Sequence, residues 1–92
     1  MYKEIEQLKE FCLQNEIEFK VMQMLGGCVL KFNNGSDVAQ HKGTYGNLAG
    51  CVEFGYTGDK DIDFKASKLD KAKEWILKNK EKLNQNENVD IG

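Results

Sequence analysis

Ninety-two residues, 40% of them apolar and 30% charged, make one small globular domain, too short for a kinase, a barrel or a Rossmann domain with a second lobe. Thirteen basic residues, every one a lysine, stand against fifteen acids for a net charge of −2. That balance argues against a dedicated nucleic-acid reader, because arginine supplies the planar fork that reads phosphate and guanine. Cys12, Cys28 and Cys51 are odd in number and contain no CxxC pair, which is unlike a disulfide-stapled secreted domain. No apolar run approaches a membrane span, and the opening MYKEIEQLKEF has no signal-peptide h-region, so the expected setting is the cytoplasm with reduced thiols.

Ile5, Leu8, Phe11 and Cys12 recur at three- and four-residue spacing among charged residues, which predicts an amphipathic helix over 2–14 ended by Asn15, a residue that tolerates the left-handed conformation. From Ile17 the period falls to two. Ile17, Phe19 and Val21 alternate with Glu16, Glu18 and Lys20 as a half-buried strand. Its second half, Val21 to Leu25, is apolar on both faces except for Gln23. Either this half is covered on both sides, or Met22 and Met24 are exposed for contact. Gly26-Gly27 predicts a turn, and Cys28, Leu30 and Phe32 alternate as the next strand. Asn34-Gly35 predicts a type I′ hairpin, since both residue types accept positive φ. The return strand, from Ser36 to about His41, sets Val38 and Gln40 opposite to Asp37, Ala39 and His41.

The segment KGTYGNLAG (42–50) breaks every periodicity and reads as a loop. Val52, Phe54 and Tyr56 then share one face of a further strand, with a short edge element expected near Ile62–Phe64. Ser67 precedes Asp70 by three residues in the manner of a capping box, and Leu69, Ala72, Ile76 and Leu83, broadened by Trp75, form the stripe of a second helix over 68–83. The polar NQNENVDIG (84–92) reads as a flexible tail, so a single domain is expected over 1–83. Together these elements predict an α+β domain of two layers: an antiparallel three- or four-stranded meander with the N- and C-terminal helices packed on one face.

Few residues carry recognisable chemistry. His41 is the single histidine, which excludes a site needing several imidazoles, and no metal or cofactor is expected. A Cys–His pair with Cys28 or Cys51 needs hydrogen-bond reach and an open, electropositive setting. Cys28 alternates with core residues, and Cys51 is the better exposed candidate. Asp59, Asp61 and Asp63 open like a calcium loop, but Phe64 stands where the loop needs Gly and Asp70 where it needs Glu, which leaves a solvated acidic turn as the simpler reading. Within 42–50, Thr44, Tyr45 and Asn47 offer a stacking ring and hydrogen-bonding groups to a partner, or else Tyr45 and Leu48 plug the core. Tyr45→Ala separates the two: a contact residue costs binding, a plug costs stability. Residues 65–82 carry seven lysines against three acids, a net of +4, and Lys68, Lys71, Lys78 and Lys82 lie outside the apolar stripe. They form either a solvated face or an electrostatic footprint.

The middle of the chain, QMLGGCVLKFNNGSDVAQHKGTYGNLAGCVEFGYTG, followed by AKEWILKNKEKLN, resembles small proteins encoded by phages and prophages of low-GC bacteria, over roughly residues 17–83. The resemblance implies a stoichiometric binder, such as an inhibitor of a host defence protein, and transfers no catalytic or ligand residue. The leading expectation is therefore a small intracellular protein-binding protein, not an enzyme, with His41, Thr44, Tyr45, Asn47, Met22 and Met24 as candidate contacts. The alternative is a nucleic-acid-associated module using the lysine-rich helix, and a thiol or histidine enzyme stands third. A sheet with one face uncovered leaves Met22, Met24, Val29 or their neighbours in water, from which a symmetric homodimer is expected.

Overall fold

The computed structural model describes residues 2–44, 46–56 and 65–85. Helix α1 (Lys3–Gln14) leads into strands β1 (Phe19–Met24), β2 (Gly27–Phe32), β3 (Ser36–Gln40), β4 (Val52–Tyr56) and β5 (Lys65–Ser67), followed by helices α2 (Leu69–Lys78) and α3 (Lys80–Asn84). The strands pair antiparallel in chain order, with β1 and β5 at the edges. This is the expected α+β meander, extended by a fifth strand. Lys65-Ala66-Ser67 has no apolar alternation, and β5 exists through backbone pairing with Val52–Phe54.

Alternation puts Cys28, Leu30 and Phe32 of β2, Val38 of β3, and Val52 and Phe54 of β4 on one face of the sheet, all buried. Ile5, Leu8 and Cys12 of α1, Ala72 and Ile76 of α2, and Leu83 of α3 close over them as a single core. Trp75 completes it, with its ring centroid 4.9 Å from that of Phe54 and 6.3 Å from that of Phe32. Each large side chain buried in this way contributes about 1.5–3 kcal/mol before entropy is counted. All three helices lie on this face, and among the described residues no element covers the other face of the sheet.

The connections differ from the sequence expectation in physically instructive ways. Helix α1 ends in a Schellman motif: Ile17 N–H donates to the Cys12 carbonyl (2.9 Å) and Glu16 N–H to that of Leu13 (3.4 Å). The left-handed residue is Glu16, at φ 58°, whereas Asn15 sits at φ −104° with its side-chain amide bonded to the Phe11 carbonyl at 2.8 Å. The type I′ turn falls at Leu25-Gly26, both at positive φ between the paired Met24 and Gly27, and not at Asn34-Gly35. There the register pairs Lys31 with Asp37, leaving a three-residue loop closed by Gly35 at φ 91°, the pattern of a type I turn with a G1 bulge. Gly27 opens β2 because β3 passes too close for a side chain: a Cβ at Gly27 would lie 1.9 Å from the Gln40 carbonyl oxygen.

The expected helix over 68–83 is two helices. Asn79 breaks it at φ −108° and ψ 14°, with its side-chain amide competing for the Trp75 carbonyl at 2.8 Å. The capping box does not form, because the backbone of Ser67 is paired with Val52 in β5; Lys68 is the N-cap, without a side-chain hydrogen bond. Asn84 belongs to the fold, not to a tail. Its Oδ1 accepts Glu18 N–H (2.8 Å), its Nδ2 donates to the Glu16 carbonyl (3.3 Å), and its own carbonyl accepts from Asn33 Nδ2 (3.1 Å). The expected edge element near 62–64 and the residues beyond 85 lie outside the described residues.

Candidate functional site: the open face of the sheet

The outer face is built by register. Lys20, Lys31, Asp37 and Gly55 occupy one row across β1 to β4, and Met22, Val29, Ala39 and Glu53 the next. Small residues at Ala39 and Gly55 hollow the middle of this face, while the methionines and Lys31 stand up around it. The resulting groove encloses about 310 Å³, walled by Met22, Met24 and Val29 on one side and by Ala39, His41 and Glu53 on the other, with Lys31 and Asp37 at its end. Met22 and Met24 are 45% and 39% exposed, so the second of the two sequence alternatives for this strand is the one realised. Val29 is 8% exposed on a face with no covering layer among the described residues, sheltered beside its cross-strand partner Met22.

Charge is segregated on this surface. The lysines Lys20 and Lys31 sit on β1 and β2, directly opposite each other, and the acids Asp37 and Glu53 sit on β3 and β4. Burial raises the Asp37 carboxyl to about 6; Glu53 adds to the rise and Lys31 opposes it. His41 follows the end of β3 and is held there by Thr44, whose hydroxyl accepts His41 N–H (3.2 Å) and donates to the His41 carbonyl (3.0 Å). Its Nδ1 accepts Gly43 N–H at 3.0 Å, so the neutral ring carries its proton on Nε2.

The structure divides the candidate contact residues. Met22, Met24 and His41 line the same groove. Thr44 is buried, and Asn47 accepts the Tyr2 hydroxyl (3.1 Å) and donates to the Thr44 carbonyl, so both hold the loop together internally. Tyr45 and the acidic run 59–63 lie outside the described residues. Sequence reasoning set Asp37 and Ala39 on the same strand face as His41, but it did not collect Lys31, Asp37, Ala39 and Glu53 into one surface. The missing signal was the exact register of β2 on β3, which the hairpin at 33–35 sets, and of β3 on β4.

Cys28 cannot meet His41, since it pairs with Gln40 on the core face while His41 lies in the groove on the other. Burial raises the thiols of Cys12, to about 11, and of Cys28, which keeps both protonated and unreactive near neutral pH. Cys51 is half-buried ahead of β4, its N–H bonded to the Gly46 carbonyl at 2.9 Å. Among the described residues no three His, Cys, Asp or Glu side chains converge as metal ligands. On the lysine-rich helix, Lys68 donates to the Ala49 carbonyl and Lys73 lies 5.3 Å from the Phe11 ring centroid, while Lys71, Lys78 and Lys82 are exposed. No helix among the described residues is long and apolar enough to cross a membrane. Comparison of the chain with protein-family models, with curated proteins and with solved structures found no match.

Proposed function

We propose that this protein is a small cytoplasmic binding protein that acts stoichiometrically, docking a protein partner on the open face of its sheet. The observation that carries the reading is the groove between Met22, Met24 and Ala39, an apolar hollow on a surface edged by charges of both signs. Methionine adapts its shape to a partner and is frequent at binding surfaces, and charged edges around an apolar centre are the usual anatomy of a protein interface. The resemblance of residues 17–83 to phage and prophage proteins supports a host defence protein as that partner, with inhibition by occupancy as the mode of action.

The test is parallel affinity capture with the wild type and a Met22→Glu/Met24→Glu double variant whose thermal midpoint matches it. The reading expects a protein retained at near-equal molar ratio by the wild type and lost by the variant. Identical recoveries from both would overturn it. Binding of labelled DNA that weakens steeply with salt and is abolished by substituting Lys71, Lys78 and Lys82 would replace it with the nucleic-acid reading.

A further inference from the structure

We infer that the open face also receives a second copy of this chain, the two sheets packing face to face about a two-fold axis that runs between β2 and β3, parallel to the strands. The inference rests on the reading of this face as a docking surface and names an occupant for it. Its basis is the way charge and size are distributed across the strand register. Rotation about that axis exchanges β2 with β3 and β1 with β4. Lys31 then lies over the second copy's Asp37, and Asp37 over its Lys31, while Met22 falls over Glu53, so the opposite-charge contacts are the two Lys31–Asp37 pairs at the middle of the face. Size matches as well as charge. Val29 meets Ala39, and Lys20 meets the bare backbone of Gly55, while His41 stands above Gly27 at the end of the groove.

The two-fold perpendicular to the strands brings no lysine over a carboxylate. Centred on the row of Met22 it opposes Glu53 to Glu53, centred on the row of Lys31 it opposes lysine to lysine and Asp37 to Asp37, and centred between the two rows it stacks Lys31 on Val29 and Asp37 on Ala39. Like charges placed directly opposite are destabilising. The lone sheet already carries one such pair, Lys20 beside Lys31, which the second copy's acids would relieve. Strands about 4.8 Å apart and same-face rows about 7 Å apart give a footprint of roughly 400 Å² per copy. That is about 800 Å² in all, short of the roughly 1,200 Å² of stable interfaces, so association is weak and shows toward the upper end of concentration.

Sedimentation equilibrium from about 1 to about 500 μM, a span that brackets micromolar dissociation constants, tests this on four samples. The wild type is expected to associate, departing from 10.5 kDa as concentration rises. Lys31→Glu and Asp37→Lys each place two like-charged contacts in the interface and are expected to weaken association at least tenfold. An equimolar mixture of the two is expected to recover it: the carboxylate introduced by K31E meets the ammonium introduced by D37K, and the second contact is the native pair. The double variant K31E/D37K in one chain is expected to recover it too. Lys31 and Asp37 are also neighbours within one sheet, but a pairing confined to one chain gives no rescue on mixing. A wild type of 10.5 kDa at every concentration, or a mixture no tighter than its components, overturns the inference. A monomer that still captures a partner lost by Met22→Glu/Met24→Glu overturns the self-pairing alone and leaves the protein-docking reading standing.

Discussion

Gln40→Leu should cost this domain about 2–3 kcal/mol. Gln40 is fully buried on the core face of β3, where alternation alone would call for a hydrophobe. Its Oε1 accepts Ile5 N–H at 2.9 Å, and its Nε2 donates to Glu4 Oε1 at 3.0 Å and to the Asn47 carbonyl at 3.3 Å. Ile5 is the third residue of α1, so its N–H is one of the orphan donors of the first turn, and Tyr2 at the N-cap supplies no side-chain acceptor. The sheet therefore caps the helix. Leucine removes that acceptor and leaves a buried N–H unpaired, worth about 1–3 kcal/mol, and the Glu4 and Asn47 acceptors also lose their donor. Loss of an ordinary cap costs about 0.5–2 kcal/mol, and burial of the added leucine methyls offsets only part of the total. At 4–8 °C per kcal/mol for a domain of this size, the thermal midpoint should fall by roughly 10–20 °C.

Urea unfolding across pH sharpens the test. The Gln40 amide holds the Glu4 carboxyl below its ordinary value of 4.5, so this contact contributes stability above that value that is lost as pH falls through the lowered one. The gap between wild type and Q40L should accordingly narrow at the acid end. Gln40→Glu keeps an acceptor for Ile5 N–H but turns a carboxylate toward Glu4; it should be destabilised at pH 7 and recover as acid neutralises the pair. A Q40L midpoint within about 0.5 kcal/mol of wild type would refute the account, since surface substitutions lie in that range.

Glu16→Gly should stabilise the fold by about 0.5–1 kcal/mol, because an L-residue at φ 58° costs about 1–2 kcal/mol and glycine returns part of that as chain entropy; an unfolding midpoint at or below wild type would contradict the strain argument. Asp37→Asn should stabilise at pH 8. The folded-state carboxyl, raised from 3.8 to about 6, contributes stability that is complete below 3.8 and lost as pH rises through 6. Full conversion of that rise would approach about 3 kcal/mol, and partial exposure reduces it to about 1 kcal/mol; at low protein concentration the advantage should vanish below about pH 4, and a pH-independent difference would sink the assignment. Asn84→Ala removes the acceptor of Glu18 N–H and the donor to the Glu16 carbonyl, and should cost about 1–2 kcal/mol with early deuterium exchange at the Glu18 amide. Exchange there as slow as in the wild type would mean that α3 is tied to β1 by other contacts.

Much of the candidate site was legible one strand at a time. The face assignments along β2 and β3 follow from period-two alternation, and Met22 and Met24 stand exposed, one of the two arrangements that the pattern of β1 allows. The identity of the surface was not legible, because it joins four strands across three registers. Asn34-Gly35 looked like the tightest hairpin by composition, yet Leu25-Gly26 adopts the type I′ turn. Pairing of β1 with β2 strains a leucine in order to align six residue pairs, and the ladder outweighs local preference. Asn15 and Asn79 spend their amides on the carbonyl four residues back, a use that composition does not distinguish from the left-handed cap expected at Asn15.

By itself, then, the sequence determined the α+β class, the meander order of the first four strands, the faces of β2, β3 and β4 and the apolar stripes of the two amphipathic segments. These depend on periodicity, which is a property of neighbours along the chain. Tertiary structure decided the fifth strand, the break at Asn79, the caps supplied by Gln40 and Asn84, and the gathering of Lys20, Lys31, Asp37 and Glu53 on one open face. The contacts of Gln40 and Asn84 join polar groups distant in sequence, 35 residues between Ile5 and Gln40 and 68 between Glu16 and Asn84. Local propensity carries no record of such distances; only the closed core, by burying the donors and acceptors that must be paired, brings them together.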